Sequence, residues 1–179
     1  TVQALTLRPT ATPVKVWLFD DAALTLFGRG VRLRLRVAAD GRSELTLKVA
    51  NQDCARLERG VVPSGEGKCE YDVYGTSMAG AVSLTRHLGV ETTNELVAGR
   101  VAPAQALSPA QIRYLREVVS IWPLPPGIGA LGPMQVWTYR TRDKLYDIDI
   151  SQLPGGKQYA EISRKVPVAD ATRMMSVME

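Results

Sequence analysis

The heptapeptide VRLRLRV, residues 31–37, places an arginine at every second position. Side chains of a β-strand alternate between its two faces, so an extended conformation brings Arg32, Arg34 and Arg36 onto one surface at intervals of about 7 Å. Guanidinium groups this close repel one another unless an anion lies nearby. The stretch therefore predicts a strand with one apolar face and one cationic face. It also predicts an anionic partner opposite the arginines, either protein carboxylates or a ligand.

The composition is typical of a globular chain with a mildly basic surface. The 179 residues are 45% hydrophobic and 22% charged, which predicts a single domain over residues 1–179. The net charge of +4 favours anionic partners in general. No run of five or more like charges is present, and the longest uncharged stretch, residues 118–139, is interrupted by prolines. We therefore expect neither binding to a nucleic acid duplex nor a transmembrane segment.

Cys54 and Cys69 flank a segment that is rich in turn-forming residues. Their spacing alone does not decide between two free thiols and a disulfide that closes this loop, and we expect the disulfide. A disulfide is typical of an oxidising compartment. The first residue, Thr1, fits the removal of a signal peptide and equally a shortened chain. These observations favour an extracytoplasmic location, periplasmic or secreted.

Short strands dominate the predicted secondary structure. β-Branched and aromatic residues between turn formers predict strands at residues 2–9, 14–20, 31–37, 44–50, 68–74, 134–142, 144–150 and 157–166. Helices are expected at residues 76–89 and 108–122, the second opened by Ser108 as its N-cap. The sequence PLPPGIGALGP, residues 123–133, predicts a turn-rich connector.

A short helical turn is predicted between the second and third strands, in DDAALTLFGRG at residues 20–30. Asp20 or Asp21 can accept hydrogen bonds from its first amides, and a glycine can end it. Leu24 and Phe27 would then share one face of the turn.

Several strands have one apolar and one charged face. The charged sets are Glu44, Thr46 and Lys48; Lys68, Glu70 and Asp72; and Asp147 with Asp149. The ordinary explanation is an antiparallel sheet whose polar face lies in water. The alternative is a curled sheet whose charged faces line a central cavity. Both signs of charge at strand centres suit a metal-bound phosphate chain, because Arg and Lys bind phosphate oxygens and carboxylates bind the cation.

The order of these motifs resembles that of the CYTH domains, the triphosphate tunnel metalloenzymes. Residues 16–49 are similar to that family's aromatic-aromatic-Asp-Thr-Pro strand, its L..RG..LRLR segment and its G...LTLK strand. KCEYD at residues 68–72 resembles the family's R/K-x-E-x-E/D strand, and residues 139–165 resemble its late basic, acidic and closing E-x-E-type strands. The resemblance implies an α+β fold, predominantly an antiparallel β-barrel or tunnel-like curled sheet with a few peripheral helices.

The resemblance also implies roles for individual side chains around a triphosphate or polyphosphate-type anion. The implied phosphate-binding residues are Arg32, Arg34, Lys48, Lys68, Arg140 and Arg142. The implied ligands of a Mg²⁺ or Mn²⁺ ion are Glu70, Asp72, Asp149 and Glu161, with Glu70 and Asp72 as the catalytic pair. The implied reaction is phosphohydrolysis, in which the metal bridges phosphate oxygens and orients the attacking water.

Two departures from the family's pattern leave a second function open. The family's opening E-x-E-x-K strand has no counterpart in VQALTLRP at residues 2–9, and Ser163 stands where the closing strand has a second acid. Because fold alone does not determine function, the alternative is a non-catalytic anion-binding or interaction module that has lost its metal site.

Some charged residues have simpler explanations. Arg36 and Glu44 are expected to form a cross-strand pair, and Asp147 to be a solvated acid near a turn. His87 falls in the predicted helix at residues 76–89 and is assigned no catalytic role.

Overall fold

The computed structural model describes residues 8–9, 12–54, 67–74 and 77–167. Its strands are β1 Arg8–Pro9, β2 Val14–Asp20, β3 Val31–Val37, β4 Ser43–Ala50, β5 Gly67–Tyr74, β6 Ser77–Leu88, β7 Gly129–Arg140, β8 Asp147–Gln152 and β9 Gln158–Ser163. They form one antiparallel sheet in the order β5-β6-β4-β3-β2-β7-β8-β9, with β1 paired to β7. The sheet curls into a half-barrel, so the predicted tunnel-like α+β fold is confirmed.

The described helices are α1 Thr25–Gly28, α2 Val90–Val97, α3 Pro103–Ala106 and α4 Pro109–Tyr114, and α4 continues into a π-helical turn at Leu115–Val119. None of those found in the described residues is long and apolar enough to span a bilayer.

The apolar face of the central strands packs against the helical layer. The leucines of this face, Leu33, Leu35, Leu45, Leu47 and Leu84, are at most 1% exposed. They share one hydrophobic cluster with Leu96, Leu107, Tyr114 and Leu115 from the helical region. Burial of one leucine side chain stabilises the fold by about 1.5–3 kcal/mol. The alternation in β3 therefore turns its leucines towards the core and its arginines towards the opposite face.

Two polar side chains fasten the helices to the sheet. The buried amide of Gln111 on α4 donates to the carbonyl oxygens of Leu45 on β4, at 3.0 Å, and Leu84 on β6, at 2.9 Å. Arg86 on β6 donates to the carbonyl of Ala106, at 2.8 Å, where α3 ends and its last carbonyls lack donors within the helix. The helical layer is thus held directly behind β4 and β6.

The predicted helix at residues 108–122 is confirmed and the one at residues 76–89 is wrong. Ser108 caps α4 by accepting a hydrogen bond from the amide of Gln111 at 3.2 Å. Residues 77–88 instead form β6, so His87 lies on a strand. This strand pairs with β4 on one side and β5 on the other, and its residues 80–84 are all buried. Strands buried on both faces lack strict alternation, which explains the error.

Two other predicted elements have different bounds. The predicted connector at residues 123–133 is too long, because its last five residues, 129–133, already belong to β7. These residues are extended because they pair with β2, and the register of this pairing shifts between Val16 and Leu18. Of the strand predicted at residues 2–9, only Arg8–Pro9 lies within the described residues.

Candidate anion-binding site

The polar face of the sheet collects most of the residues predicted for the site. Its charged residues are Lys68, Glu70 and Asp72 on β5, Glu44 and Lys48 on β4, Arg32, Arg34 and Arg36 on β3, Arg140 on β7, Asp147 and Asp149 on β8, and Glu161 on β9. Residues that are partners in register point to the same side of a sheet. The exception among the predicted residues is Arg142, which lies in the exposed turn between β7 and β8.

The arginines of β3, called here the arginine row, have donors that the described residues leave unsatisfied. The Nε atoms of Arg34 and Arg36 are buried, yet neither hydrogen-bonds to a described residue. Within the same part of the chain, no carboxylate forms an ion pair with the arginine row. A buried donor without a partner costs about 1–3 kcal/mol, and more when it is charged. The row therefore offers donors that an external anion could satisfy.

Arg36 and Glu44 are cross-strand neighbours, as expected. The carboxylate of Glu44, however, lies 3.9 Å from Nδ1 of His87 on β6. Arg36 and Glu44 are thus neighbours in the sheet, but they do not form an ion pair in the described structure.

The electrostatic surroundings of Arg34 show how the curled sheet brings its two sides together. Burial lowers the pKa of Arg34, and repulsion from Arg36 adds to this, whereas Glu44 and Asp149 oppose it. Asp149 lies on β8, three strands away in sheet order, which is about 14 Å in a flat sheet. Its influence on Arg34 is consistent with a polar face that is concave.

The other cations of this face are already paired with acids. The ion pairs are Lys48–Asp72 at 2.7 Å, Lys68–Glu70 at 3.0 Å and Arg140–Asp147 at 2.7 Å. Asp147 lies at the turn side of β8, as expected, and the hydrogen bond from Arg140 lowers its pKa. In the described structure these three acids therefore pair with other cations and not with the arginine row.

The predicted metal ligands fall on separate parts of the sheet. Glu70 and Asp72 lie on β5 at one end of the strand order, whereas Asp149 and Glu161 are register partners on β8 and β9 at the other. Asp149 also accepts a hydrogen bond from the hydroxyl of Thr138 at 2.6 Å. Across the described ranges, no three His, Cys, Asp or Glu side chains come together to hold a metal. This arrangement does not fit a bound Mg²⁺ or Mn²⁺, which prefers several oxygen ligands in a compact shell.

A cavity of about 210 Å³ lies beside the arginine row, and we call it the apolar pocket. It is lined by Leu18, Phe19, Asp20, Leu24, Phe27, Val31, Arg32, Leu33 and Leu131. Leu24 and Phe27, which the sequence placed on one face of the turn, both line this pocket and are 47% and 56% exposed. Sequence reasoning found the helical turn and missed the pocket, because the alternation of β2 and β7 does not reveal which strand ends remain uncovered.

The helical turn α1 is built by the two predicted aspartates. The carboxylate of Asp20 accepts hydrogen bonds from the amides of Leu26 and Phe27, each at 2.9 Å. Asp21 accepts from the amide of Thr25 at 3.0 Å, and the Thr25 hydroxyl is the largest cause of the lowered pKa of Asp21. These bonds hold the turn at the edge of the apolar pocket.

A disulfide joins Cys54 to Cys69 on β5, with their Cα atoms 5.4 Å apart. It anchors the β5 edge of the sheet to the chain that leaves β4. Its formation in solution stays a prediction.

Comparisons with known proteins support the fold. No family model matches the chain, and no curated protein matches it. A solved candidate adenylyl cyclase from Hippeastrum, described as having a dominant triphosphatase activity, superposes with a TM-score of 0.55 at 14% identity, covering 94% of this chain and 73% of that one. A candidate adenylate cyclase from Bacillus halodurans superposes with a TM-score of 0.59 at 12% identity, covering 93% and 71%. The resemblance to CYTH-type tunnel proteins is thus confirmed at the level of the fold.

Proposed function

We propose that the concave face binds the phosphate groups of a triphosphate- or polyphosphate-type anion. The observation that carries the proposal is the arginine row, where the buried Nε atoms of Arg34 and Arg36 lack hydrogen-bond partners among the described residues. Phosphate oxygens accept charge-assisted bonds from guanidinium groups, which are about twice as strong as neutral ones. The triphosphatase activity named for the Hippeastrum protein of the same fold supports the choice of phosphate.

The spacing of the row favours an anion with several charged groups. Alternate arginines of a strand lie about 7 Å apart, so one small anion cannot contact Arg32 and Arg36 together. A chain of linked phosphates can extend along the strand and meet each guanidinium in turn. The acids of β5 cannot take this place without breaking their ion pairs with Lys48 and Lys68.

Metal-dependent phosphohydrolysis is the second candidate, and the triphosphatase neighbour favours it. It would require Mg²⁺ or Mn²⁺ at Glu70, Asp72, Asp149 and Glu161, with Glu70 and Asp72 in the catalytic step. These acids are divided between two parts of the sheet and engaged in other contacts. Binding without hydrolysis is therefore the function that the geometry supports best.

A calorimetric titration with tripolyphosphate, run with and without Mn²⁺ alongside a phosphate-release assay, tests the proposal. We expect binding in both conditions and phosphate release at background. Arg34→Gln should weaken binding roughly 10- to 100-fold, since hydrogen bonds to charged groups contribute about 1.5–3 kcal/mol. Arg42→Gln is the matched control, because Arg42 is exposed in the β3–β4 turn and pairs with Asp40. Its affinity should equal that of the wild type.

Two results would contradict the proposal that the protein binds the anion without hydrolysing it. Absence of tripolyphosphate binding in both conditions would refute both candidates. Phosphate release that needs Mn²⁺ and is lost in Glu70→Gln would establish the second candidate instead.

A further inference from the structure

The apolar pocket has almost no polar group that a ligand could use. Among its lining residues, only Asp20 and Arg32 are charged. Both carboxylate oxygens of Asp20 already accept backbone amides of α1. A polar group of a ligand placed in this pocket would lose its hydrogen bonds to water without gaining new ones, which costs free energy. The lining therefore suits a hydrocarbon group.

The pocket is continuous with the arginine row. Leu18 on β2 is the register partner of Arg34 on one side and of Leu131 on the other. Neighbouring strands lie about 4.8 Å apart, so the apolar lining begins one strand away from Arg34. The guanidinium of Arg32 lies 5.6 Å from the centre of the Phe27 ring and joins the two regions. One small molecule can thus contact both.

The backbone at Leu24 supplies an independent observation. Leu24 has φ 55° and ψ 45°, in the left-handed region, and its side chain makes no capping hydrogen bond. A residue with a side chain costs about 1–2 kcal/mol in this conformation. Packing does not explain the choice of leucine, since its side chain is 47% exposed. Strained residues of this kind cluster at binding sites, where a bound partner makes use of them.

We propose that the apolar pocket binds the hydrocarbon group of an ester with two or more linked phosphates, which lie on the arginine row, an inference that rests on the proposed function. The pocket, at about 210 Å³, is smaller than the roughly 300 Å³ or more that holds a whole drug-sized ligand. It therefore takes one small apolar group. A nucleobase has several hydrogen-bonding edges that this lining leaves unsatisfied. The ligand class is an amphiphilic phosphate ester and not a nucleotide.

Calorimetric titrations with a series of n-alkyl diphosphates, from methyl to hexyl, test this assignment. Inorganic diphosphate and ADP are the references, since ADP carries the same diphosphate on a nucleoside. A fully buried methylene contributes about 0.8 kcal/mol, or roughly fourfold in affinity. Because the pocket is open to solvent, we expect a rise of about two- to fourfold per methylene until the pocket is filled. Hexyl diphosphate should bind tighter than both references.

Two substitutions separate the pocket from the arginine row. Phe27→Ala and Leu24→Asn should both reduce the affinity for hexyl diphosphate to that for methyl diphosphate, and Leu24→Asn should leave tripolyphosphate affinity unchanged. Leu24→Asn should also fold well, because asparagine tolerates the left-handed region. Leu145→Asn is the matched control, since Leu145 is 46% exposed in the turn between β7 and β8, outside the pocket. It should change neither affinity.

The outcomes distinguish this inference from the function on which it rests. A flat alkyl series, with tripolyphosphate still bound through Arg34, overturns the pocket assignment alone. ADP binding that exceeds hexyl diphosphate binding and depends on Phe27 also overturns it, in favour of a nucleoside. Failure of every phosphate compound to bind overturns both.

Discussion

The central wall, formed by β3, β4 and β6, and the outer strands, β7 to β9, use arginine in different ways. Arg34 on the central wall is partly buried, and its Nε has no hydrogen-bond partner among the described residues. Arg140 on β7 donates two hydrogen bonds to Asp147, at 2.7 and 3.3 Å, and this bonding raises its pKa. Arginine thus has a donor without a partner in the described part of the central wall, whereas on the outer strands it forms an ion pair.

The difference follows from what lies behind each region. Helices cover the apolar face of the central wall, where Leu35 and Leu45 are fully buried. All six residues of β9 are exposed. Packing energy from the core can hold the central wall together although its arginines have no ion-pair partner among the described residues, whereas strands with little burial need local ion pairs. The arginine row, whose strand is held in place by the core, is therefore a better candidate for ligand binding than the paired arginine of the outer strands.

The largest expected effect is on the free energy of unfolding, when a buried residue of the central wall and an exposed residue of the outer strands are each replaced by alanine. Leu35→Ala should lower the free energy of unfolding by about 2–5 kcal/mol, because it leaves a cavity in the core. Ile162→Ala on β9 should change it by less than about 0.5 kcal/mol, since Ile162 is 65% exposed. Urea denaturation followed by tryptophan fluorescence measures both. Equal losses would show that the outer strands are packed as firmly as the central wall.

The next effect concerns the β5 edge beside the central wall. Reduction of the Cys54–Cys69 disulfide should lower the free energy of unfolding by about 3 kcal/mol, the scale for a loop of this length, with a sequence separation of 15. Intact mass after alkylation should show no label on the native protein and two labels after reduction. Two labels on unreduced protein would contradict the disulfide.

A smaller effect of opposite sign should appear at the arginine row. In the absence of phosphate, Arg34→Met should raise the free energy of unfolding by about 1 kcal/mol, because it removes a desolvated donor and its repulsion with Arg36. Tripolyphosphate should then stabilise the wild type in a thermal melt more than it stabilises this variant. Arg140→Met is the comparison on the outer strands and should give no gain, since it breaks the pair with Asp147. Destabilisation by Arg34→Met would mean that Arg34 has a structural partner.

The smallest effect is the pH response of the outer ion pair. The hydrogen bond from Arg140 lowers the pKa of Asp147, so the folded state holds the ionised carboxylate more strongly than the unfolded chain does. This contribution is present above the pKa of an unfolded aspartate, about 4, and is lost as the pH falls through the lower folded value. An NMR titration of the Asp147 carboxyl carbon should show its pKa rising in Arg140→Gln. An unchanged pKa would show that the pair does not persist in solution.

Local sequence patterns determined a large part of this structure. The alternation in VRLRLRV predicts the strand and its two faces, because a strand repeats every two residues. Ser108 predicts the start of α4, and Asp20 and Asp21 predict the turn α1, because caps satisfy the amides that a helix leaves unpaired. The resemblance of the motif order to that of the CYTH domains implies the curled sheet. Each of these signals acts within a few residues, or depends on the order of elements along the chain.

Tertiary structure alone decided which charges remain unpaired and where a ligand could bind. The pairing of Lys48 with Asp72 joins residues 24 positions apart, and it depends on β6 lying between β4 and β5, where the sequence predicted a helix. The apolar pocket depends on α1, β2 and β7 meeting at one side of the sheet. The separation of the acids depends on their positions in the strand order. Periodicity reports the face on which a side chain lies, whereas register and curvature decide what that side chain meets.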